Sequence, residues 1–223
     1  MFVLPNIVIT HKIYLIIKKS ITMENSTQQA GRPKQNITIY TEANPNPNSM
    51  KFMLSFMLLK GGESYDFPSI EEAEVSPLAK ELFEKFEEVE RIFYMSNFIT
   101  ITKKEGSTDW IEIIPKFKEF LLEYFEAEKP IFENIDETIV EKAESEAIKK
   151  IRGVLDEYIK PAVEMDGGAI KFHSFDEETG IVKVLLQGAC SGCPSSTFTL
   201  KMSIENLLKR MVPQVKEVVA EGV

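Results

Sequence analysis

The chain contains two thiols, Cys190 and Cys193, two residues apart in Gly188-Ala-Cys-Ser-Gly-Cys-Pro194. Thiols at that spacing can clamp one metal ion or one face of a metal cluster, or close on each other as a disulfide. The preceding run Ile181-Val-Lys-Val-Leu-Leu-Gln187 has the composition of a strand. The run from Pro194 to about Met211 has the periodicity of a helix, with Leu200, Ile204, Leu207, Leu208 and Met211 facing inward. The cysteines are thus placed on a loop at a helix N-terminus, where unpaired backbone N–H groups and the helix dipole favour thiolate over thiol. Pro194 suits the first helical turn, where a missing N–H costs nothing.

The elements that must position this loop follow from the residues around it. A helix over 147–160 carries the stripe Ile148, Ile151, Leu155, Tyr158 and Ile159, and Pro161 is expected to end it. Met165-Asp-Gly-Gly168 reads as a turn that needs positive φ. Strands over 169–175 and 181–187 pair through Asp176-Glu-Glu-Thr-Gly180, and residues 215–220 can return as a third strand. In this turn a structural role is preferred for Asp166 over a catalytic one. His173 reads as a surface or half-buried structural histidine, and His11 as exposed and idle.

Upstream lies a second set of elements. Asn36-Ile-Thr-Ile-Tyr40 alternates like a strand. In Glu42-Ala-Asn-Pro-Asn-Pro-Asn-Ser49 the prolines forbid helix and sheet, leaving an ordered loop that could touch a partner, although turn geometry alone explains it. A buried strand is expected over 50–59 and irregular structure over 64–74. Ser76-Pro77 opens a helix as N-cap and N1, with Leu78, Leu82, Phe83 and Phe86 on one face. A hairpin follows, Val89 to Met95 and Phe98 to Thr102 around Ser96-Asn97, and then a helix from about Ile114 to Phe125. Trp110 and the many phenylalanines of this part read as core. Residues 126–146 hold eight acidic residues and two lysines, and read as a solvated linker that lets two domains move independently. The fold class expected is α+β: two small α/β-sandwich-type domains, 36–125 and 147–223, joined by the acidic linker 126–146 and preceded by a disordered extension, 1–35.

Composition narrows the function. The net charge of −9 argues against a nucleic-acid binder, which would need a basic face. Residues 147–223 balance ten basic against ten acidic residues, so the excess acid lies upstream of the cysteine module. Two cysteines do not make a disulfide framework and suit a reducing compartment, taken here to be the cytoplasm. Residues 2–21 are apolar but interrupted by Pro5, His11 and Lys12, too short a run for a membrane span. They lack the basic-first order of a secretory signal, and with the first arginine at Arg32 they lack the Arg-rich character of a mitochondrial presequence. Met23 is a plausible true start. No P-loop, nucleophile–base motif or dinucleotide fingerprint is present, so no enzyme is expected.

The order of elements, with Met165-Asp-Gly-Gly168 and Gly188-Ala-Cys-Ser-Gly-Cys-Pro-Ser195, resembles the C-terminal domain of the NifU-like (Nfu) iron–sulfur proteins over about 150–220. The upstream part resembles the family's N-terminal domain in Thr41-Glu-Ala-Asn-Pro-Asn-Pro-Asn-Ser-Met-Lys-Phe52, Asp66-Phe-Pro68, Ser76-Pro-Leu-Ala79, Phe98-Ile-Thr-Ile101 and Asp109-Trp110. The resemblance implies a scaffold or carrier that binds a [4Fe–4S] cluster and transfers it to apo-proteins, with Cys190 and Cys193 as metal ligands. Iron–sulfur clusters usually take four Cys ligands, and one chain supplies two. A homodimer sharing the cluster across its axis would then complete the set. A [2Fe–2S] cluster, or adventitious zinc held by four thiolates, would use the same ligands. Ser191, Gly192, Ser195 and Ser196 could donate to cluster sulfides, with helix capping the preferred role of the serines. The implied partners are apo client proteins and upstream cluster-assembly proteins, with no nucleic acid and no membrane. Two rival readings remain. One is a thiol–disulfide redox protein, disfavoured because only about 30 residues follow Cys193 and a thioredoxin fold needs more sheet. The other is a non-enzymatic interaction adaptor.

Overall fold

The computed structural model describes residues 36–59, 62–133, 145–191 and 194–222. The expected disordered extension, 1–35, and most of the expected linker, 134–144, lie outside the described residues. The architecture is α+β, as expected. The first sheet has the strand order β1-β2-β5-β4-β3, built from β1 (Ile39–Ala43), β2 (Ser49–Leu54), β3 (Ser64–Phe67), β4 (Val89–Met95) and β5 (Phe98–Lys103), with every pair antiparallel. Two helices cover one face, α1 (Pro77–Lys85) and α2 (Trp110–Glu126). Ser76 caps α1 by accepting from the Ala79 N–H, with Pro77 at N1, and Asp109 caps α2 through Ile111 N–H. The second sheet has the order β6-β7-β8: β6 (Gly168–Asp176) antiparallel to β7 (Ile181–Gly188), and β8 (Glu217–Gly222) parallel to β7. Its helices are α3 (Glu146–Val154), α4 (Lys160–Met165) and α5 (Pro194–Met211).

Three expectations give way here. The helix opening the second module does not end at Pro161. A π-helical turn over Leu155–Ile159, closed by Lys160 N–H to the Leu155 carbonyl, widens the backbone just before the proline, and α4 carries the chain on to Met165. Widening removes the clash and the lost bond that Pro161 would impose on a regular α-helix. The segment 64–74 is not irregular: β3 and a 3-10 turn over Glu71–Val75 occupy it. Helix α2 starts at Trp110 rather than 114, because the Asp109 cap sets its beginning and Pro115 is tolerated in its second turn.

The acidic stretch is held at its start. Its charges suggested solvation, yet the Ile131 carbonyl accepts from Ser76 Oγ at 2.8 Å and the Pro130 carbonyl from the Tyr124 hydroxyl at 2.6 Å. The Phe132 ring lies 4.4 Å from that of Tyr65. Two apolar residues thus anchor the start of an acidic stretch. Residues 37–223 group as one compact unit.

The reason is that the first sheet is buried on both faces. Alternate residues point to opposite sides of a sheet. Phe52, Ile92, Tyr94, Ile99 and Ile101 meet α1 and α2 in the first core. Phe93, Met95 and Phe98, from the other face, meet Ala169 of β6 in a small separate cluster. The second module has its own core around Ile151, Val182, Val184, Ile204 and Leu208.

Candidate functional site

The cysteine loop is built by the end of the β6–β7 hairpin. Gly168 pairs with Gly188 in register, so the Gly-Gly turn and the start of the loop face each other. Gly167 takes φ +77° and Gly188 φ +62°, a region that L side chains rarely occupy. The Gly167 carbonyl accepts from Ala189 N–H at 3.3 Å, and the Gly188 carbonyl from Ser191 N–H at 3.1 Å. Cys190 is buried, 6% exposed, and its sulfur lies against Gly168: a Cβ there would stand 2.8 Å from Cys190 Sγ and 2.6 Å from the Gln187 carbonyl. The glycine leaves the space in which the sulfur sits. Cys193 and Gly192 lie outside the described residues; α5 begins just beyond them at Pro194. Asp166 is exposed and ends α4, its N–H bonded to the Ala162 carbonyl, which is the turn role expected of it. His173 is exposed at a bulge in β6. Among the described residues no three or more His, Cys, Asp or Glu side chains converge to hold a metal.

Residues from the first module reach the same turn and loop. Asn46 Nδ2 donates to the Ala189 carbonyl at 3.1 Å, and Thr100 Oγ1 to the Gly167 carbonyl at 2.7 Å. Lys51 Nζ donates to the Met165 carbonyl at 3.3 Å, and Ser64 Oγ to Gln187 Oε1 at 3.3 Å. Asn46 is fixed by its own loop: its N–H bonds Asn44 Oδ1 and its Oδ1 accepts from Asn48 N–H. Trp110 Nε1 buttresses that loop at the Pro47 carbonyl, 2.9 Å away. The Asn/Pro loop singled out in the sequence therefore touches this chain's own cysteine loop. Thr100 and Ser64 carried no comparable signal, because a Thr between two isoleucines reads as the solvent side of a strand.

A buried ion pair lies under Gly188. Asp66 Oδ2 accepts from Arg91 at 2.7 Å, with the two side chains 1% and 14% exposed. Burial lifts the Asp66 carboxyl to about 6, against the opposing pull of the Arg91 guanidinium, the Gly188 amide and the Lys171 ammonium. Between its unfolded value near 3.8 and about 6, the folded chain keeps a proton that the unfolded chain releases. The associated stability is present at low pH and is lost as pH rises through about 6, by at most about 3 kcal/mol. Urea unfolding from pH 4 to 7 should therefore show the wild type losing ground with rising pH relative to Asp66→Asn. A constant difference between the two would contradict the burial of this carboxyl.

Residues 151–219 match the family model described as NifU-like domain, and residues 39–128 the one described as Scaffold protein Nfu/NifU N terminal. A protein of Arabidopsis thaliana named NifU-like protein 5, mitochondrial, is 39% identical over 193 residues, covering 84% of this chain and 69% of the relative. The chain belongs to the Nfu/NifU family. A protein of Drosophila willistoni named NFU1 iron-sulfur cluster scaffold homolog, mitochondrial, is 41% identical over 189 residues, 83% of this chain; the match spans 64% of that relative's length. The solution structure of a NifU-like protein from Saccharomyces cerevisiae aligns at 24% identity with a TM-score of 0.41, over 47% of this chain and 92% of the other. These Nfu/NifU relatives correct one expectation. Both curated ones are named mitochondrial, which overturns the cytoplasmic reading. Two cysteines report a reducing compartment and cannot separate one such compartment from another. Among the described residues no helix is long and apolar enough to cross a membrane.

Proposed function

We propose that this chain is a mitochondrial iron–sulfur scaffold that holds a [4Fe–4S] cluster between two copies, each contributing Cys190 and Cys193, and passes it to apo-proteins. The observation that carries the reading is Cys190 Sγ seated in the space left by Gly168, on a loop fixed by Gly167 and Gly188. Thiolate suits iron, and among the described residues no group of three or more His, Cys, Asp or Glu side chains forms a closed single-chain site. The cluster is cargo. In transfer, a client thiolate replaces a scaffold thiolate at iron, one for one, with no net change of electrons. No catalytic side chain is needed, and iron and sulfide arrive from other proteins. The segments proposed as domains remain 36–125 and 147–223.

Anaerobic reconstitution with iron and sulfide tests this. One [4Fe–4S] cluster per two chains is expected by Mössbauer spectroscopy and iron content, with dimer formation on gel filtration. Cys190→Ala and Cys193→Ala should each retain about tenfold less iron, since either change removes two of the four thiolates in the pair. A stable cluster in a strict monomer would overturn the reading, as would a protein that refuses iron but cycles between dithiol and disulfide.

A further inference from the structure

The second face of the first sheet is not a general surface. Lys51, Phe93, Phe98 and Thr100, from β2, β4 and β5, lie against the Gly-Gly turn, the neighbouring Ala169 and the start of the cysteine loop. Three of the contacts are directed at main-chain carbonyls, those of Met165, Gly167 and Ala189. The Phe93 ring sits where Gly188 has no side chain; a Cβ there would stand 2.8 Å from it. Phe93 and Ala169 are 0% and 2% exposed, and they pack in one cluster drawn from both modules.

The contact is also imperfect. Among the described residues, two buried side-chain atoms lack a hydrogen bond, Asn44 Nδ2 and Asp66 Oδ1. Both side chains lie at this junction: Asn44 Nδ2 is 3.5 Å from where a Gly167 Cβ would be, and Asp66 interacts with Gly188 and Lys171. Unsatisfied buried groups oppose the apolar and hydrogen-bonded contacts around them. Such a surface is suited to separating and re-forming.

We propose that this sheet face is a docking surface for the chain's own cysteine loop, that it shields Cys190 in the cluster-free protein, and that it lifts off before thiolates from a second copy or a client can approach. The need for that approach rests on the scaffold reading above; the shielding does not. Four ligands must converge on one cluster, while Ala189, Cys190 and Ser191 are 1%, 6% and 8% exposed; Cys190 packs into the core of its own module, and the first sheet and its Asn46 loop cover the residues beside it, Gly167, Gly188 and Ala189. Opening exchanges the intramolecular contacts of Asn46, Thr100 and Phe93 for access to the loop.

The test uses the reduced, cluster-free full chain carrying Cys193→Ser, so that Cys190 is the sole thiol, with iodoacetamide as probe. Alkylation should be about a hundredfold slower than in the same chain unfolded in urea, since it waits on opening. Ala169→Arg wedges a charge into the junction without entering either main core. It should raise the rate about tenfold and expand the molecule in small-angle scattering, with circular dichroism unchanged. Should the arginine variant fail to fold, Thr100→Val with Asn46→Ala removes two hydrogen bonds without added bulk and should also raise the rate. The proposal is overturned if the parent reacts as fast as the unfolded chain, if an expanded variant keeps the parent rate, or if no folded variant expands or reacts faster. Shielding lost on dilution would place the contact between two copies and equally overturn it. Alkylation needs no iron, so failure here leaves the cluster reading standing, and failed reconstitution leaves the docking result standing.

Discussion

Alanine at Gly168 is expected to cost the fold about 1–3 kcal/mol, the usual penalty for forcing atoms into packed space, and to remove most of the iron retained after reconstitution. The added Cβ would stand 2.6 Å from the Gln187 carbonyl oxygen and 2.8 Å from Cys190 Sγ. The first of these is backbone held in the β6–β7 ladder and cannot rotate away. The second is a proposed ligand, so whichever group yields, either the strand end or the sulfur is displaced. Gly153→Ala is the control. It lies within α3, nothing would come within 4 Å of its Cβ, and alanine there should stabilise the helix by about 0.5–1 kcal/mol. Urea midpoints and iron content of the two variants separate the effects. Equal iron retention in Gly168→Ala and the wild type would show that the turn does not set the position of the sulfur.

The parts of this fold that were legible in the sequence are those fixed by local chemistry. Ser76-Pro77 announces α1 because a hydroxyl cap and a residue without an N–H suit one place in a helix, and the structure puts both there. The β4–β5 hairpin was legible from two apolar runs two residues apart, with Ser96 taking φ +47° between them. The Gly-Gly turn and the Cys190 loop were legible for the same reason. What was not legible is non-local. The acidic stretch after α2 is charged on average, but Ile131 and Phe132 decide where it goes, and only the surface left by Tyr65 and Tyr94 makes that a binding place. Lys51 and Thr100 alternate with Phe52 and Ile101, a pattern that normally means one wet face. Here that face meets the second module, and the polar groups bond its carbonyls instead of water. Asp66 is the sharpest case. An aspartate before Phe67-Pro68 reads as a loop residue, whereas its burial depends on Arg91 of the neighbouring strand β4 and on the Gly188 end of β7.

Removing the ring at Phe117 should produce the largest loss of stability of any single change considered, and it should do so without touching the cysteine loop. Phe117 lies on α2, is 0% exposed, and its ring centroid is 4.5 Å from that of Phe86, 5.9 Å from Phe52 and 6.4 Å from Trp110. Truncating such a ring to a methyl group removes the transfer free energy of the buried atoms and leaves a cavity that neighbouring rings fill only partly, a cost of about 3–5 kcal/mol. Against a typical total of about 5–15 kcal/mol, that is a large share of the fold's margin. The urea midpoint of Phe117→Ala should accordingly fall by more than about 1 M. An unchanged midpoint would mean that these rings do not form the core described. The two faces of the first sheet make the comparison with iron binding informative. Phe117 and Phe52 occupy the helix-covered face, while Phe93 and Phe98 occupy the face against the turn. In conditions where the variant remains folded, iron retained per folded chain should therefore match the wild type. A parallel loss of iron in folded Phe117→Ala would show that packing on one side of the sheet governs the loop on the other.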